Sequence, residues 1–284
     1  GGRVFASGQA EIVYDVLSDP RFIRGANKAS SMMCAPLMIK DKSMGIINIS
    51  TEAPFEYFSG DLKLFQSVTS QTAAAMQIAI LYNDQTSAFD STVCTLAETI
   101  EKRDHMTGKH TRRVMEYSKS IGVVLGLSLE ELAGLELSAA LHDIGNIGLK
   151  DSVLLKQGKL SGEEFEEIKK HPLYAEEILG HISQLKDIIP GVKYHHERFD
   201  GKGYPEGLSA GRIPLSARII TVADCYDTMT TDRPYRKAMD IDSAFDELRK
   251  GMGTQFDPEV VEAFFSTDVV SAYFTANSKK KIIS

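Results

Sequence analysis

Apolar residues along this chain follow two rhythms. Between Pro36 and Ser50 they alternate and run together around Lys40-Asp41-Lys42-Ser43, the pattern of two strands joined by a turn. Elsewhere they recur at threes and fours. From Ser59-Gly60-Asp61 onward, Leu62, Phe65, Val68, Thr72, Met76, Ala79 and Ile80 form one stripe, which predicts an amphipathic helix. The helical pattern resumes from Asn83 to Arg103 through Phe89, Val93, Leu96 and Ile100 at near-heptad spacing. That segment is expected either to pair two chains as a coiled coil or to pack on its own domain.

The remainder reads as successive helices. One is expected to follow Thr107-Gly108 and run to about Leu125, with His110 near its start. Ser128 with Glu131 is a capping box opening a helix over Leu129–Leu141, which ends in His142-Asp143 and breaks at Gly145. Ser161 with Glu164 is a second capping box, and its helix is expected to stop at His171-Pro172, where proline disfavours helical backbone before it. A further helix through Ile178 to Ile189 would deliver the adjacent His195 and His196 after Pro190-Gly191. Gly201, Gly203 and Pro205 around Tyr204 specify a tight loop able to bring backbone close to a ligand. A long buried helix is expected from Ile213 to Thr230, with Asp224 among Val222, Ala223 and Tyr226. The end after Phe265, with Lys279-Lys280-Lys281, reads as a solvated tail.

With 43% apolar residues over 284 positions, the chain has core enough for two domains, and disorder is excluded for most of it. Cys34, Cys94 and Cys225 are widely spaced, odd in number and form no CxxC pair, so reduced thiols in a cytoplasmic chain are expected. The longest apolar run, Ala73 to Leu81, is interrupted by Gln77 and falls far short of the roughly 20 residues that cross a bilayer. No secretory signal and no membrane partner are expected. Gly1-Gly2-Arg3 reads as a start inside a domain, with sequence expected upstream. A net charge of -7 argues against a polymeric nucleic acid as partner. Between Lys193 and Lys237, however, eight basic residues face six acidic ones, a local +2 that would draw a small anionic substrate.

Five histidines (His110, His142, His171, His195, His196) and two aspartates (Asp143, Asp224) fall at the ends or buried faces of these expected helices. A buried carboxylate needs a cation, and imidazole with carboxylate is the ligand set of a two-metal hydrolase. The absence of thiolates disfavours structural zinc and suits iron, manganese or another borderline metal. His105 and His181 join no such pattern.

Two resemblances organise these residues. DPRF at 19–22, SMMCAPL at 31–37 and FSGDLKLFQSVTSQTAAAMQIAILY at 58–82 resemble the later half of a GAF domain, over about residues 8–85. His110, LHDIG at 141–145, His171-Pro172, HHERFDGKGYP at 195–205, IPLSARIITVADCYD at 213–227 and TDRPYRKA at 231–238 resemble, in that order, the HD-GYP family. The implied architecture is a partial α+β GAF-like sensory module at 1–85, a linker helix at 86–103 and an all-α HD-type helical domain at 104–284. The implied activity is hydrolysis of the bacterial messenger cyclic di-GMP to the linear dinucleotide or GMP, regulated by the first module.

Carried over position by position, the HD-GYP resemblance implies two divalent ions. One is held by His110, His142, Asp143 and Asp224, the other by Asp143, His171, His195 and His196. Asp143 bridges, and a hydroxide between the ions is the nucleophile. Iron or manganese is expected, with zinc, nickel or magnesium as alternatives. Lys202 and Tyr204 of the GYP loop, with Arg233 and Arg236, are the implied substrate contacts; Arg233 could instead pack against Asp232 or Asp227. Asn146 stands where the family has lysine, so a charge near the scissile phosphate is missing, worth about 10²–10³ in rate. The catalytic set is thus Asp143, Asn146 and Lys202. Met106 stands where some members place an acidic ligand for a third ion, so two ions are expected. A cyclic di-GMP receptor with little hydrolysis is the alternative that Asn146 motivates. A general HD nucleotide phosphohydrolase is disfavoured by the GYP loop and the DRPYR segment. A homodimer through the linker helix is expected.

Overall fold

The computed structural model describes residues 1–21, 29–101, 103, 109–232 and 237–273. The chain divides into two compact units, 1–88 and 89–284.

In the first unit a short helix α1 (Gly2–Ser7) precedes an antiparallel sheet of β1 (Glu11–Val13), β2 (Ser31–Ile39) and β3 (Lys42–Thr51), in that order. The β2–β3 register pairs Ser31 with Thr51 and Ile39 with Lys42, which leaves only Lys40-Asp41 in the turn. Lys42 and Ser43, expected in the turn, therefore belong to β3. Lys40 takes φ 54°, and a residue of that hand closes a two-residue turn with the twist the strands require. Met33 and Ala35 of β2 bury against Tyr57 and against Phe65 of helix α2 (Ser59–Glu101). α2 is one continuous helix of 43 residues, joining the two stretches that the sequence pattern showed separately.

The second unit is helical: α3 (His110–Val124), α4 (Leu129–Leu141), a 3₁₀ turn at Ile144–Gly148, α5 (Asp151–Leu154), α6 (Gly162–Ile168), α7 (His171–Gly180), α8 (Ile189–Lys193), α9 (Leu215–Thr230), α10 (Ile241–Gly251) and α11 (Pro258–Phe265). Both capping boxes form, Ser128 with Glu131 and Ser161 with Glu164. Two expectations need correction. Pro172 sits in the first turn of α7, where its missing N–H has no partner to lose, so His171 opens that helix and α6 has already ended at Ile168. Likewise no single helix runs to Ile189, because Ser183–Ile188 is 3₁₀ and Pro190-Gly191 lie inside α8.

One buried cluster joins α3, α4, α9, α10 and α11 through Ile121, Leu135, Ile220, Phe245 and Phe264. A second joins the end of α2 to α4, α7 and α8 through Ala97, Leu141, Leu179 and Val192. α4 serves both, with Ala139 in the first and Leu141 in the second, and each fully buried leucine contributes about 2 kcal/mol. The last turn of α4 is therefore pinned, and it carries His142. The segment after Phe265 is also more firmly placed than its polarity suggested: Val270 is buried in the first cluster and Tyr273 meets Phe245 edge-on at 5.7 Å. Lys279, Lys280 and Lys281 lie outside the described residues.

Candidate metal centre

Gly145 decides how the ends of α4 and α7 meet. A Cβ there would lie 1.9 Å from the His171 carbonyl oxygen, so only glycine lets the turn after Asp143 touch the start of α7. That approach brings Asp143 Oδ1 to 3.4 Å from His171 Nε2, while Oδ2 lies 3.5 Å from His142 Nε2. His110, the first residue of α3, places Nε2 3.5 Å from Asp224 Oδ1 on α9. One turn earlier on α9, Thr221 donates its hydroxyl to the His195 carbonyl at 2.6 Å, which fixes the paired histidines against that helix.

The imidazoles form a continuous set. Ring centroids lie 5.4 Å apart for His110 and His142, 5.1 Å for His142 and His195, 4.0 Å for His195 and His196, and 5.0 Å for His196 and His171. Among the described residues, two groups have ligand atoms mutually within 4.8 Å: Asp143, His171, His195 and His196, and His110, His142 and Asp143. Asp143 is common to both. Asp224 falls outside those groups but touches His110. The structure thus brings together all seven residues that the sequence put forward as ligands.

Each ring is oriented from behind by a local contact. Nδ1 of His142, His171 and His195 donates to the carbonyl three residues earlier, of Ala139 (2.8 Å), Ile168 (2.8 Å) and Val192 (2.6 Å). A carbonyl can only accept, so each Nδ1 holds the proton and each Nε2 is a bare lone pair. His110 donates from Nδ1 to Asp227 Oδ2 at 2.7 Å. Nε2 of His110, His142, His171 and His195 is then left buried with no hydrogen-bond partner. Four convergent, desolvated lone pairs are costly unless a cation meets them, so the donor set fits divalent metal.

Electrostatics agree with that use. Burial lowers the basicity of His171, His195 and His196, the last to about 4 with a further contribution from His171, so these rings are neutral at neutral pH, as a metal would require. Burial pushes the Asp143 carboxyl up, but His142, His171, His195 and His110 more than offset this and hold it below the ordinary range. Its side chain is 36% exposed, so of the His142-Asp143 dyad only the histidine is fully buried.

Around this centre the structure shows residues that sequence reasoning passed over. Asp227 is buried, and Arg113 of α3 grips the same carboxylate, with Nη2 2.9 Å from Oδ2. Its signal was present, since Asp224 and Asp227 stand three apart on α9 and so share a face. Glu197, next to the paired histidines, is 2% exposed and accepts from the backbone N–H of Glu206 (2.7 Å) and Gly207 (2.9 Å), which anchors the loop carrying Tyr204. Tyr204 stacks on His196 at 4.8 Å. Burial, with the Asp143 and Asp224 charges, pushes its phenol well above the ordinary value. The close approach allowed by Gly203 is to this loop's own backbone, 2.3 Å from Arg198 N for a hypothetical Cβ, rather than to a ligand. Asn146 is buried beside His110 and Asp143, and the Lys202 side chain is exposed. Arg233, Arg236, Met106 and His105 lie outside the described residues.

Comparison with known proteins places the chain. The HD domain model matches residues 95–260, and the GAF domain model matches residues 1–76, beginning earlier than the resemblance read from the sequence. A cyclic di-GMP phosphodiesterase response regulator of Xanthomonas campestris, RpfG, is 43% identical over 61% of this chain and 46% of its own. A cyclic di-GMP phosphodiesterase of Vibrio cholerae is 34% identical over 86% of this chain and 54% of its own. The chain spans about half the length of these curated relatives. The crystal structure of a cyclic GMP-AMP-specific phosphodiesterase of V. cholerae superposes with TM-score 0.51 at 21% identity, over 62% of this chain and 48% of that one. No helix among the described residues is long and apolar enough to cross a membrane. With its helical second unit, its His-Asp dyad and the match over residues 95–260, the chain belongs to the HD domain family, with a GAF domain at its amino-terminal end.

Proposed function

We propose that this chain hydrolyses a cyclic dinucleotide, cyclic di-GMP in the first instance, at a centre of two divalent ions. One ion is assigned to His110, His142, Asp143 and Asp224, the other to Asp143, His171, His195 and His196. The observation that carries this reading is the convergence of four buried, unpartnered Nε2 atoms on the carboxylate of Asp143. A bound pair of divalent ions supplies Lewis-acid polarisation of the phosphoryl group and activation of water near neutral pH. Histidine and carboxylate donors without thiolate suit iron or manganese.

The chain's own groups supply the rest. Backbone carbonyls and Asp227 hold the rings in one tautomer, so no reorganisation is needed when substrate arrives. Tyr204, neutral because its phenol is so weakly acidic, offers a ring face to a base and a hydroxyl donor to a phosphoryl oxygen, and is too weak an acid to protonate a leaving group readily. Lys202, Arg233 and Arg236 are assigned to the anionic substrate as in the sequence reading, and Asn146 to the place of the usual lysine.

We assign the protein to the cytoplasm and to a homodimer through α2, on which Leu64, Val68, Ile78 and Tyr82 are exposed. Of the residues expected to pair two chains in the 86–103 segment, by contrast, Phe89, Val93 and Ile100 pack inside the second cluster and Leu96 alone is exposed. Ile78→Asp should shift the sedimentation coefficient toward monomer.

The deciding experiment incubates purified chain loaded with manganese or ferrous iron with cyclic di-GMP and, separately, with the mixed guanine-adenine dinucleotide, and resolves the products. Linear dinucleotide or GMP supports the enzyme. Tight binding of intact messenger supports the receptor that Asn146 motivates.

A further inference from the structure

Glu101 is the last residue of α2, yet its buried carboxylate serves another helix. Oε1 accepts from the backbone N–H of Lys109 at 3.1 Å and of His110 at 2.8 Å, and Oε2 from that of Thr111 at 3.3 Å. α3 has no side-chain cap of its own, and Lys109 before it sits at φ 142°. One carboxylate from α2 thus satisfies open N–H groups at the start of α3 and sets its charge at the positive end of that helix. The first residue it holds is His110.

Arg103 reaches the opposite wall. Nη1 donates to the carbonyls of Asn146 (3.3 Å) and Ile147 (2.9 Å), Nη2 donates to that of Leu149 (3.1 Å), and the guanidinium pairs with Asp151 at 2.6 Å. It therefore gathers the carbonyl end of the turn that follows His142-Asp143. Beside Glu101 lies a gap of only about 20 Å³, lined by Ala97, Ile100, Glu101, His110, Asp143 and Asn146. The polar arms add hydrogen bonds to walls where Ala97, Ala140 and Ile144 also pack.

We infer that Glu101 and Arg103 are positioning residues that couple the end of α2 to the separation of His110 from Asp143, and so to the affinity of the ion those residues share. The inference rests on the two-ion reading above. Because α2 begins at Ser59, a shift of this helix along or about its axis is delivered most strongly to the ion on the His110 side, which Glu101 touches directly. It is delivered less to the other ion, which shares only Asp143.

Competition of the full chain against a chelating dye, with cobalt(II) as probe, measures both affinities without turnover, and cobalt absorption reports geometry. His196→Ala, which keeps the His110 side, and Asp224→Ala, which keeps the other, assign the two ions. Glu101→Ala should weaken the His110 ion about 10–100-fold and change its absorption more than the other's. Glu101→Gln, which keeps an oxygen for Lys109 and His110, should recover most of the loss. Arg103→Lys should weaken the same ion, whereas Asp151→Ala, which removes only the exposed ion pair, should not. Folded variants with both affinities unchanged, with both ions weakened equally, or with Gln no better than Ala would overturn the coupling and leave the two-ion centre standing. Wild-type chain that takes up no metal would overturn both.

Discussion

Asp227 accepts from His110 at 2.7 Å while Arg113 grips the same carboxylate, so one buried acid orients a metal-directed ring and neutralises a cation. Burial alone would raise its pKa, but His110 and Arg113 outweigh that and hold it below the ordinary value. Asp227→Ala leaves Arg113 unpaired beside a loosened ring. It should cost about 3 kcal/mol in urea unfolding and about 10–100-fold in metal affinity. Unchanged metal affinity in a folded variant would show that His110 is held by other means.

Gly145 tests the geometry more severely. Its replacement by alanine puts a methyl into the His171 carbonyl, so α7 must move away from Asp143. Gly145→Ala should lose about 3 kcal/mol and most metal binding, measured by thermal unfolding with and without manganese. Gly162→Ala, where a Cβ meets nothing within 4 Å, is the matched control and should lose neither.

These two positions also show how far the sequence could be read. Gly145 was legible as a helix breaker, but not as the contact with His171, because the two are brought together by tertiary packing. The histidines of the candidate centre were legible as a set because their chemistry has few other uses at helix ends, and the capping boxes because they are local. His171 was placed at the wrong end of a helix, since a proline signals a boundary without saying on which side the helix lies. Asp227 was passed over because His110 stands 117 residues away, and Glu101 because it serves the N–H groups of Lys109, His110 and Thr111 at the start of a helix other than its own. No periodicity reports such a partner.

Acid should weaken the metal-free protein. His171, His195 and His196 have folded values below the ordinary 6.5, His196 at about 4, mainly through burial. Between pH 6.5 and 4 the unfolded chain therefore binds more protons, so stability is complete above 6.5 and is lost as pH falls toward 4, by about 3 kcal/mol from His196 alone. His110 works the other way: burial lowers its value, but Asp227 and Asp224 together raise it above 6.5. Three groups outweigh one. Chelated protein should unfold at lower urea at pH 5 than at pH 7.5; an equal or higher midpoint at pH 5 would contradict the assignment.

Asn146 occupies a buried place in the wall that it shares with His110 and Asp143. Asn146→Lys should raise kcat for cyclic di-GMP by up to about 10²-fold, with KM less affected. No change in kcat would mean that the asparagine is not what limits turnover.

If imidazoles and acids from separate helices hold a pair of ions that cut a cyclic phosphodiester, metal and cleavage stand or fall together. Elemental analysis and cyclic di-GMP cleavage, measured on one preparation for wild type and Asp143→Ala, put this two-ion assignment to the test. Wild type should carry two divalent ions per chain with cleavage that follows metal occupancy, and Asp143→Ala should lose both together. Cleavage that persists in metal-depleted protein or in Asp143→Ala, or fully loaded wild type that leaves the dinucleotide intact, would contradict it.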